Sequence, residues 1–223
     1  AKGQLLETHE MPTEAQKGGP HILNTTKEIV ARYLKKHALA GVAISSAGMV
    51  DPDKGEIFYA GPQIPNYAGT QFKKEIEETF QIPCEIENDV NCAGLAEVTT
   101  GHAKGSNNAV CLTIGTGIGG CLLLDGQVFH GFSNSACEVG YLHLPDGAFQ
   151  DLASTTALVE YVAEHHGDPV EQWNGRRIFK QATEGDKICM AGIDRMVAYL
   201  GKGLANIAYV VNPEVIVLGG GIM

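Results

Sequence analysis

Two short motifs that follow one another between residues 87 and 120 restrict the possible folds most strongly. The first is Glu87-Asn88-Asp89, which comes after an apolar strand pattern and before a helix pattern. The second is the glycine-rich segment 115–120, which lies between two apolar strand patterns. Strands and helices that alternate in this way predict an α/β fold with several parallel strands. An acidic group beside a loop whose N–H groups can surround phosphate oxygens indicates phosphoryl transfer to an alcohol.

Composition narrows the class of protein further. The chain has 223 residues, of which 44% are hydrophobic, enough for one large domain or two small ones. Its net charge of -10, with only 16 Lys and Arg, argues against a nucleic-acid-binding surface. No run of 18 apolar residues occurs, and the first residues do not resemble a signal peptide, so we expect no membrane partner and a cytoplasmic location.

The six cysteines are scattered among apolar neighbours without any C-x-C or C-x-x-C pair. This pattern predicts buried, reduced thiols and argues against zinc or disulfide roles. They are Cys84, Cys92, Cys111, Cys121, Cys137 and Cys189.

Hydrophobic periodicity predicts the secondary structure. Strands are expected at residues 4–8, 40–45, 84–87 and 215–218, with a hairpin at 110–129 that turns at Asp125-Gly126. Helices are expected at residues 26–37, 71–80, 90–98, 155–165, 175–184 and 192–211. The last carries an apolar stripe of Ile193, Met196, Val197, Leu200, Leu204, Ile207 and Val211. A polar, glycine-rich stretch at 100–108 predicts a domain boundary.

Two pairs of segments resemble each other, which indicates an internal repeat. Residues 2–7 resemble 125–130, and residues 41–48 resemble 214–221. If the two copies are equivalent, about 14 residues with another glycine loop are expected ahead of the first copy. At the other end, the first copy continues for about 50 residues that have no counterpart in the second copy. We therefore expect the chain to be cut at both ends.

Five motifs in order resemble the ROK family of bacterial sugar kinases and sugar-responsive repressors. They are residues 48–52, 87–93, 114–120, 137–140 and 212–221. The resemblance implies a two-lobed, actin-like and hexokinase-like (ribonuclease H-like) ATPase fold. It implies an N-terminal sugar/phosphate lobe at 1–106, lacking its first strands, and a C-terminal nucleotide-binding lobe at 107–223, lacking its end.

The resemblance also implies the roles of site residues. Asp89 would be the general base, and ATP would bind with Mg²⁺. The sugar would be oriented by Ser46, Asn88, Glu138, Tyr141 and Gln150. The nucleotide would be held by Gly115, Thr116, Gly117, Gly119, Gly120, Gly219, Gly220 and Gly221.

Each motif also has a structural explanation. Asp89 could cap the helix that follows it, and the glycine loop could be a bend that needs positive φ. Residues 219–221 could form a tight strand exit, and Ser46 could cap a turn.

The chain departs from the family at the segment 141–154. Tyr141 stands where the family has a His, and residues 148–150 stand where it often has Cys-Leu-Glu, so no structural zinc is expected. Tyr141 would either stack on a sugar ring or fill space. His143, His165 and His166 lack a third ligand at metal spacing and are interpreted as surface or loop residues.

The leading prediction is an ATP-dependent kinase that phosphorylates a hexose, an amino sugar or a glucoside. A homodimer is a possible oligomeric state. The alternatives are the sugar-sensing domain of a ROK-type repressor and a catalytically inactive sugar binder.

Overall fold

The computed structural model describes residues 4–223 and forms two compact units, with the division between Asn88 and Asp89. The first unit contains, in chain order, a 3₁₀ turn (Ala15–Lys17), α1 (Gly19–Leu34), β1 (Val42–Ser46), β2 (Met49–Asp51), β3 (Glu56–Tyr59), α2 (Phe72–Phe80) and β4 (Cys84–Asn88). The predicted boundary at residues 106/107 stays a prediction.

Parallel pairing of β1 with β4 organises the first unit. Ser46 is the register partner of Asn88, so two predicted ligand residues lie side by side where both strands end. Strands β2 and β3 form a separate antiparallel pair, which the sequence pattern did not predict. Ile57 of β3 and Phe72 of α2 are almost fully buried in the core of this unit.

Two predictions for the first unit are wrong. Residues 4–8 are not a strand: within residues 4–223 no strand pairs with them, and Leu5 and Leu6 are 77% and 87% exposed. An extended segment without a partner leaves its backbone groups unpaired. Helix α1 begins at Gly19, ahead of the predicted residue 26, because Pro20 in its first turn is compatible with helix initiation. Lys2 and Gly3, part of the proposed repeat, lie outside the described residues.

The second unit contains α3 (Asp89–Thr99), β5 (Ala109–Ile114), β6 (Ile118–Leu124), β7 (Gln127–Val128), a 3₁₀ turn (Val139–Tyr141), β8 (His143–Leu144), β9 (Gly147–Ala148), α4 (Phe149–Ala153), α5 (Thr155–His166), a 3₁₀ turn (Val170–Gln172), α6 (Gly175–Thr183), α7 (Lys187–Val211) and β10 (Val215–Gly219).

The main sheet of this unit has the order β10-β5-β6-β7. β10 is parallel to β5, whereas β5 and β6 form the predicted hairpin, with Ile114 opposite Ile118. Residues 115–117 are therefore the connection of this hairpin. The turn after β6 is also confirmed: Asp125 and Gly126 both have positive φ, 52° and 73°, as a tight hairpin turn requires.

Helices α4, α5 and α6 pack against the long helix α7. Phe149 is fully buried and lies so close to Gly203 of α7 that a Cβ there would overlap its ring. Met196, Leu200 and Ile207 face the core as predicted. Val197 was wrongly placed in the stripe and is 54% exposed, since adjacent helix positions point about 100° apart.

Between residues 4 and 223, no helix combines the length and the apolar character needed to cross a lipid bilayer.

Candidate functional site

The loop between β5 and β6 is held in place by backbone hydrogen bonds. The Gly115 N–H donates to the Gly117 carbonyl at 3.0 Å, and the Thr155 N–H donates to the Gly115 carbonyl at 2.8 Å. Thr155 opens α5, whose N-cap Ser154 accepts a hydrogen bond from the Ala157 N–H at 3.1 Å. The loop therefore lies against the N-terminal turn of a helix, which favours bound anions.

Positive φ does not explain the glycines of this loop, because none of them adopts it. Gly119 and Gly120 are required for packing. A Cβ on Gly119 would lie 2.6 Å from Val90 Cγ2, and one on Gly120 would lie 2.5 Å from the Cys137 carbonyl oxygen. A Cβ on Gly115, in contrast, would meet no atom within 4 Å. The backbone at Gly115 is thus open to a ligand.

A cavity of about 290 Å³ lies on one side of this loop. Among the residues that line it are Thr116, Gly117, Glu138, Tyr141 and Gln150. Three of the five predicted sugar-binding residues are therefore brought together with the predicted nucleotide-binding loop, all within the second unit.

Glu138 lies just before the 3₁₀ turn Val139–Tyr141. Its side chain keeps an exposed edge, while the surrounding protein atoms partly desolvate the carboxyl group. This desolvation raises the pKa of Glu138, and the negative charge of Asp89 raises it further. Such a carboxyl group is suited to hydrogen-bonding a neutral hydroxyl.

Tyr141 and Gln150 border the cavity in different ways. Tyr141 is 64% exposed, so its ring is available to a ligand. Gln150 is in the first turn of α4, and its Oε1 lies 3.0 Å from where a Cβ on either Gly117 or Gly140 would stand. The amide of Gln150 therefore lies between the glycine loop and the 3₁₀ turn.

Asp89 is the first residue of α3 and its side chain is exposed. Its Oδ1 accepts a hydrogen bond from the Val90 N–H at 3.0 Å. This bond runs to the adjacent residue, whereas a capping side chain accepts from an N–H two or three residues further on. The charge of Asp89 also acts on the Glu138 carboxyl group.

Ser46 and Asn88 belong to the first unit and both have partners there. Ser46 is 6% exposed, and its hydroxyl lies 2.6 Å from the Tyr67 hydroxyl. The Asn88 Nδ2 donates to the Gly48 carbonyl at 2.9 Å. Their roles as sugar contacts stay predictions.

A larger cavity of about 760 Å³ also borders this loop. Gly115 and Thr116 line it together with Val159, Trp173, Phe179 and other residues. Arg176, exposed on α6, brings a positive charge to the same cavity. The sequence reasoning missed these residues, although one signal was present: the only Trp of the chain stands just before the helix predicted at residues 175–184.

The three glycines at residues 219–221 have different roles: one is needed for the backbone conformation, and another lines the larger cavity. Gly220 has φ of 111°, and a Cβ there would lie 2.6 Å from the Ile114 nitrogen, as a tight strand exit requires. Gly221 lines the larger cavity, and a Cβ on it would meet no atom within 4 Å. Gly219 ends β10.

The arrangement provides two cavities joined by an open backbone loop. The larger one has aromatic and apolar walls suited to a planar base, and the smaller one has carboxyl, phenol and amide groups suited to hydroxyls. The loop between them can donate N–H groups to a polyphosphate.

Comparison with known proteins agrees with this geometry. An uncharacterized protein of Clostridium perfringens is 48% identical over 99% of this chain and 75% of its own length. A beta-glucoside kinase of Klebsiella pneumoniae is 32% identical over 99% of this chain and 75% of its own length. The crystal structure of a ROK family glucokinase from Streptomyces griseus, in complex with glucose and AMPPNP, superposes with a TM-score of 0.82 at 26% identity, over 99% of this chain and 77% of that one.

The likeness to the solved structure confirms the predicted α/β fold of the actin-like and hexokinase-like type. The family model that matches residues 1–223 is described as the ROK family. With that match along its whole length, this chain belongs to the ROK family.

Proposed function

We propose that this chain is an ATP-dependent kinase that transfers the γ-phosphoryl group to a hydroxyl of a hexose, an amino sugar or a glucoside. The observation that carries the proposal is that Gly115 and Thr116 line both cavities of the second unit. A nucleotide in one cavity and a sugar in the other would meet at this loop, where the reacting groups must be held in line.

The enzyme class rests on the relatives. Proteins named beta-glucoside kinase and glucokinase match this chain along its length, which confirms the predicted phosphotransferase with an alcohol acceptor. Their substrates differ, so the sugar of this chain is a proposal at the level of the class.

In the proposed complex, the base of ATP occupies the larger cavity beside Trp173 and Phe179, and Arg176 faces the phosphates. The N–H groups of Thr116 and Gly117, in the connection between β5 and β6, donate to phosphate oxygens, supported by the positive end of α5, and Gly115, Gly119 and Gly120 belong to the same nucleotide-binding loop. Gly219, Gly220 and Gly221 belong to the same nucleotide side. The open positions at Gly115 and Gly221 support close approach of the nucleotide.

The sugar occupies the smaller cavity. Glu138 and Gln150 hydrogen-bond its hydroxyls, and Tyr141 stacks on its ring face; Ser46 and Asn88 are retained as predicted contacts. Asp89 accepts the proton of the attacking hydroxyl while that oxygen bonds to the γ-phosphorus and the bond to the β-phosphate oxygen breaks, so that ADP leaves.

Mg²⁺ is part of this proposal, since phosphates and one or two carboxylates are its usual ligands. The carboxyl group of Glu138 and the Thr116 hydroxyl, which both line the smaller cavity, are hard oxygen donors of the required kind. Bound with the nucleotide, the ion would neutralise charge that develops on the phosphates. The proposal keeps the predicted cytoplasmic location, where ATP is available, and the possible homodimer.

The proposal is tested by ADP release from the full-length protein with Mg-ATP. Glucose, mannose, fructose, N-acetylmannosamine, N-acetylglucosamine and a β-glucoside disaccharide are compared, each against a reaction without sugar. We expect at least one sugar to stimulate ADP release and to yield a sugar phosphate of matching stoichiometry. If no sugar raises ADP release above the sugar-free rate, the kinase proposal fails and the sugar-sensor alternative takes its place.

A further inference from the structure

His166 lies in a cluster that the sequence spacing did not indicate. It ends α5, while Asp186 and Cys189 stand at the start of α7, about 20 residues further along the chain. One ligand atom from each of the three residues lies within 4.8 Å of the other two. His166 and Asp186 are each about one quarter exposed, whereas Cys189 is fully buried.

The Nε2 atom of His166 is buried and has no hydrogen-bond partner among residues 4–223. Asp186 Oδ2 is only 3.2 Å away, yet it does not lie where the ring N–H could donate to it. A buried ring nitrogen that stays unpaired next to a carboxylate requires an explanation. A cation held between the two groups satisfies both atoms.

Asp186 is already oriented for such a role. Its Oδ1 accepts hydrogen bonds from the N–H groups of Ile188 and Cys189, both at 2.9 Å, which caps α7. This capping leaves Oδ2 facing His166. Backbone hydrogen bonds of this kind fix the orientation of metal-binding carboxylates.

We propose that His166, Asp186 and Cys189 form a binding site for a zinc-type divalent ion, with the fourth position open to water. In a tetrahedral zinc site, nitrogen and oxygen ligands lie about 3.3 Å apart, close to the 3.2 Å between His166 and Asp186. The sulfur would lie about 3.6 Å from each, so the Cys189 side chain would move by roughly an ångström at most.

The donor set selects the ion. Thiolate and imidazole ligands favour zinc over magnesium or calcium, which prefer oxygen donors. Binding breaks the weak contact of 3.9 Å between Cys189 Sγ and Gln181 Oε1 and releases the thiol proton to the solvent. The partly exposed edges of His166 and Asp186 provide the entry path. None of the three ligands is assigned to sugar or nucleotide, although His166 stacks on Trp173, which lines the larger cavity.

The chain contains its own reporter for this site. Trp173 is its only tryptophan and stacks on His166, with ring centroids 4.7 Å apart and an angle of 24° between the rings. An ion bound to His166 would therefore change the Trp173 fluorescence.

The test is a Co²⁺ titration of full-length, chelator-treated protein, followed by absorption and by Trp173 fluorescence, with Zn²⁺ as competitor. We expect about one Co²⁺ per chain, a thiolate-to-cobalt charge-transfer band, and displacement by Zn²⁺. His166→Gln, Asp186→Asn and Cys189→Ala should each weaken binding by at least about 10-fold. Asp186→Asn keeps a residue that caps helices well, so its effect separates lost coordination from lost folding.

Two matched controls exclude incidental binding. His165→Gln removes the neighbouring imidazole, which stacks on Tyr161 instead, and Cys111→Ala removes a buried thiol outside the cluster. Both variants should bind Co²⁺ as the unmodified protein does. The absence of a charge-transfer band, or a band that persists unchanged in His166→Gln and Asp186→Asn, would overturn the proposal.

Discussion

Asp89 and Glu138 are 49 positions apart in the sequence, yet the fold brings the charge of Asp89 within electrostatic range of the Glu138 carboxyl group, which lines the smaller cavity. Desolvation is the larger cause of the raised pKa of Glu138, and the negative charge of Asp89 adds to it. In the proposed mechanism these residues divide the work: Glu138 binds the sugar, and Asp89 takes the proton.

The raised pKa of Glu138 predicts that this residue costs stability at neutral pH. Because the folded state raises the pKa, the folded protein binds the proton more readily than the unfolded chain does. Ionised Glu138 therefore destabilises the fold above its ordinary pKa, and the cost disappears as the pH falls. Glu138→Gln should be more stable than the unmodified protein at pH 7, with the difference closing in acid, as measured by thermal unfolding at several pH values.

The same variant should bind sugar more weakly, because it loses a charged hydrogen-bond acceptor. Glu164→Gln, on the exposed side of α5, is the control for removing a glutamate charge. If Glu138→Gln is less stable than the unmodified protein at pH 7, ionised Glu138 does not destabilise the folded state, and this prediction is wrong.

The open backbone position at Gly115 predicts a variant that folds normally and binds nucleotide poorly. A Cβ there meets no protein atom within 4 Å, so Gly115→Ala should unfold at nearly the same temperature. If it displaces one N–H to phosphate hydrogen bond, it should weaken ATP binding by about 1.5–3 kcal/mol, or roughly 10- to 150-fold. Isothermal titration with an ATP analogue measures the change.

Gly201→Ala, on α7, makes the same chemical change at another open position and should leave nucleotide affinity unaltered. Gly119→Ala is the opposite case: its Cβ would press on Val90, so it should destabilise the fold by about 1–3 kcal/mol. Unchanged ATP affinity in Gly115→Ala would remove the phosphate role from this part of the loop.

Because Tyr141 is exposed, substitutions there can distinguish stacking on the sugar ring from simple filling of space. Tyr141→Ala should change stability by less than about 0.5 kcal/mol, because the side chain is 64% exposed. If the ring stacks on the sugar, Tyr141→Ala raises the KM for sugar several-fold, whereas Tyr141→Phe keeps the ring and stays near the unmodified value. Equal KM values for all three proteins would mean that the tyrosine only fills space.

Local patterns were sufficient for the elements that carry the site. Alternating apolar residues on both sides of residues 115–120, with an Asp-Gly turn after them, predicted the β5–β6–β7 arrangement. The helices α2, α3, α5, α6 and α7 and the strand β10 were found because their apolar spacing agrees with their packing.

Features that depend on distant partners were not visible in the sequence. Leu5 and Leu6 have a strand-like pattern, yet no described strand pairs with them. The metal ligands proposed at His166 come from two helices, so no local spacing could show them. The larger cavity is likewise assembled from separate segments, including Val159, Trp173 and Phe179.

The central claim, that Asp89 is the base of a phosphoryl transfer, is tested most directly by kcat with Mg-ATP and the preferred sugar. Asp89→Asn should lower kcat by about 10²- to 10⁴-fold while sugar and nucleotide still bind, because only proton transfer is lost. Asp194→Asn, an exposed acidic residue of α7, should keep the unmodified kcat. A kcat of Asp89→Asn within a few-fold of the unmodified protein would contradict the account.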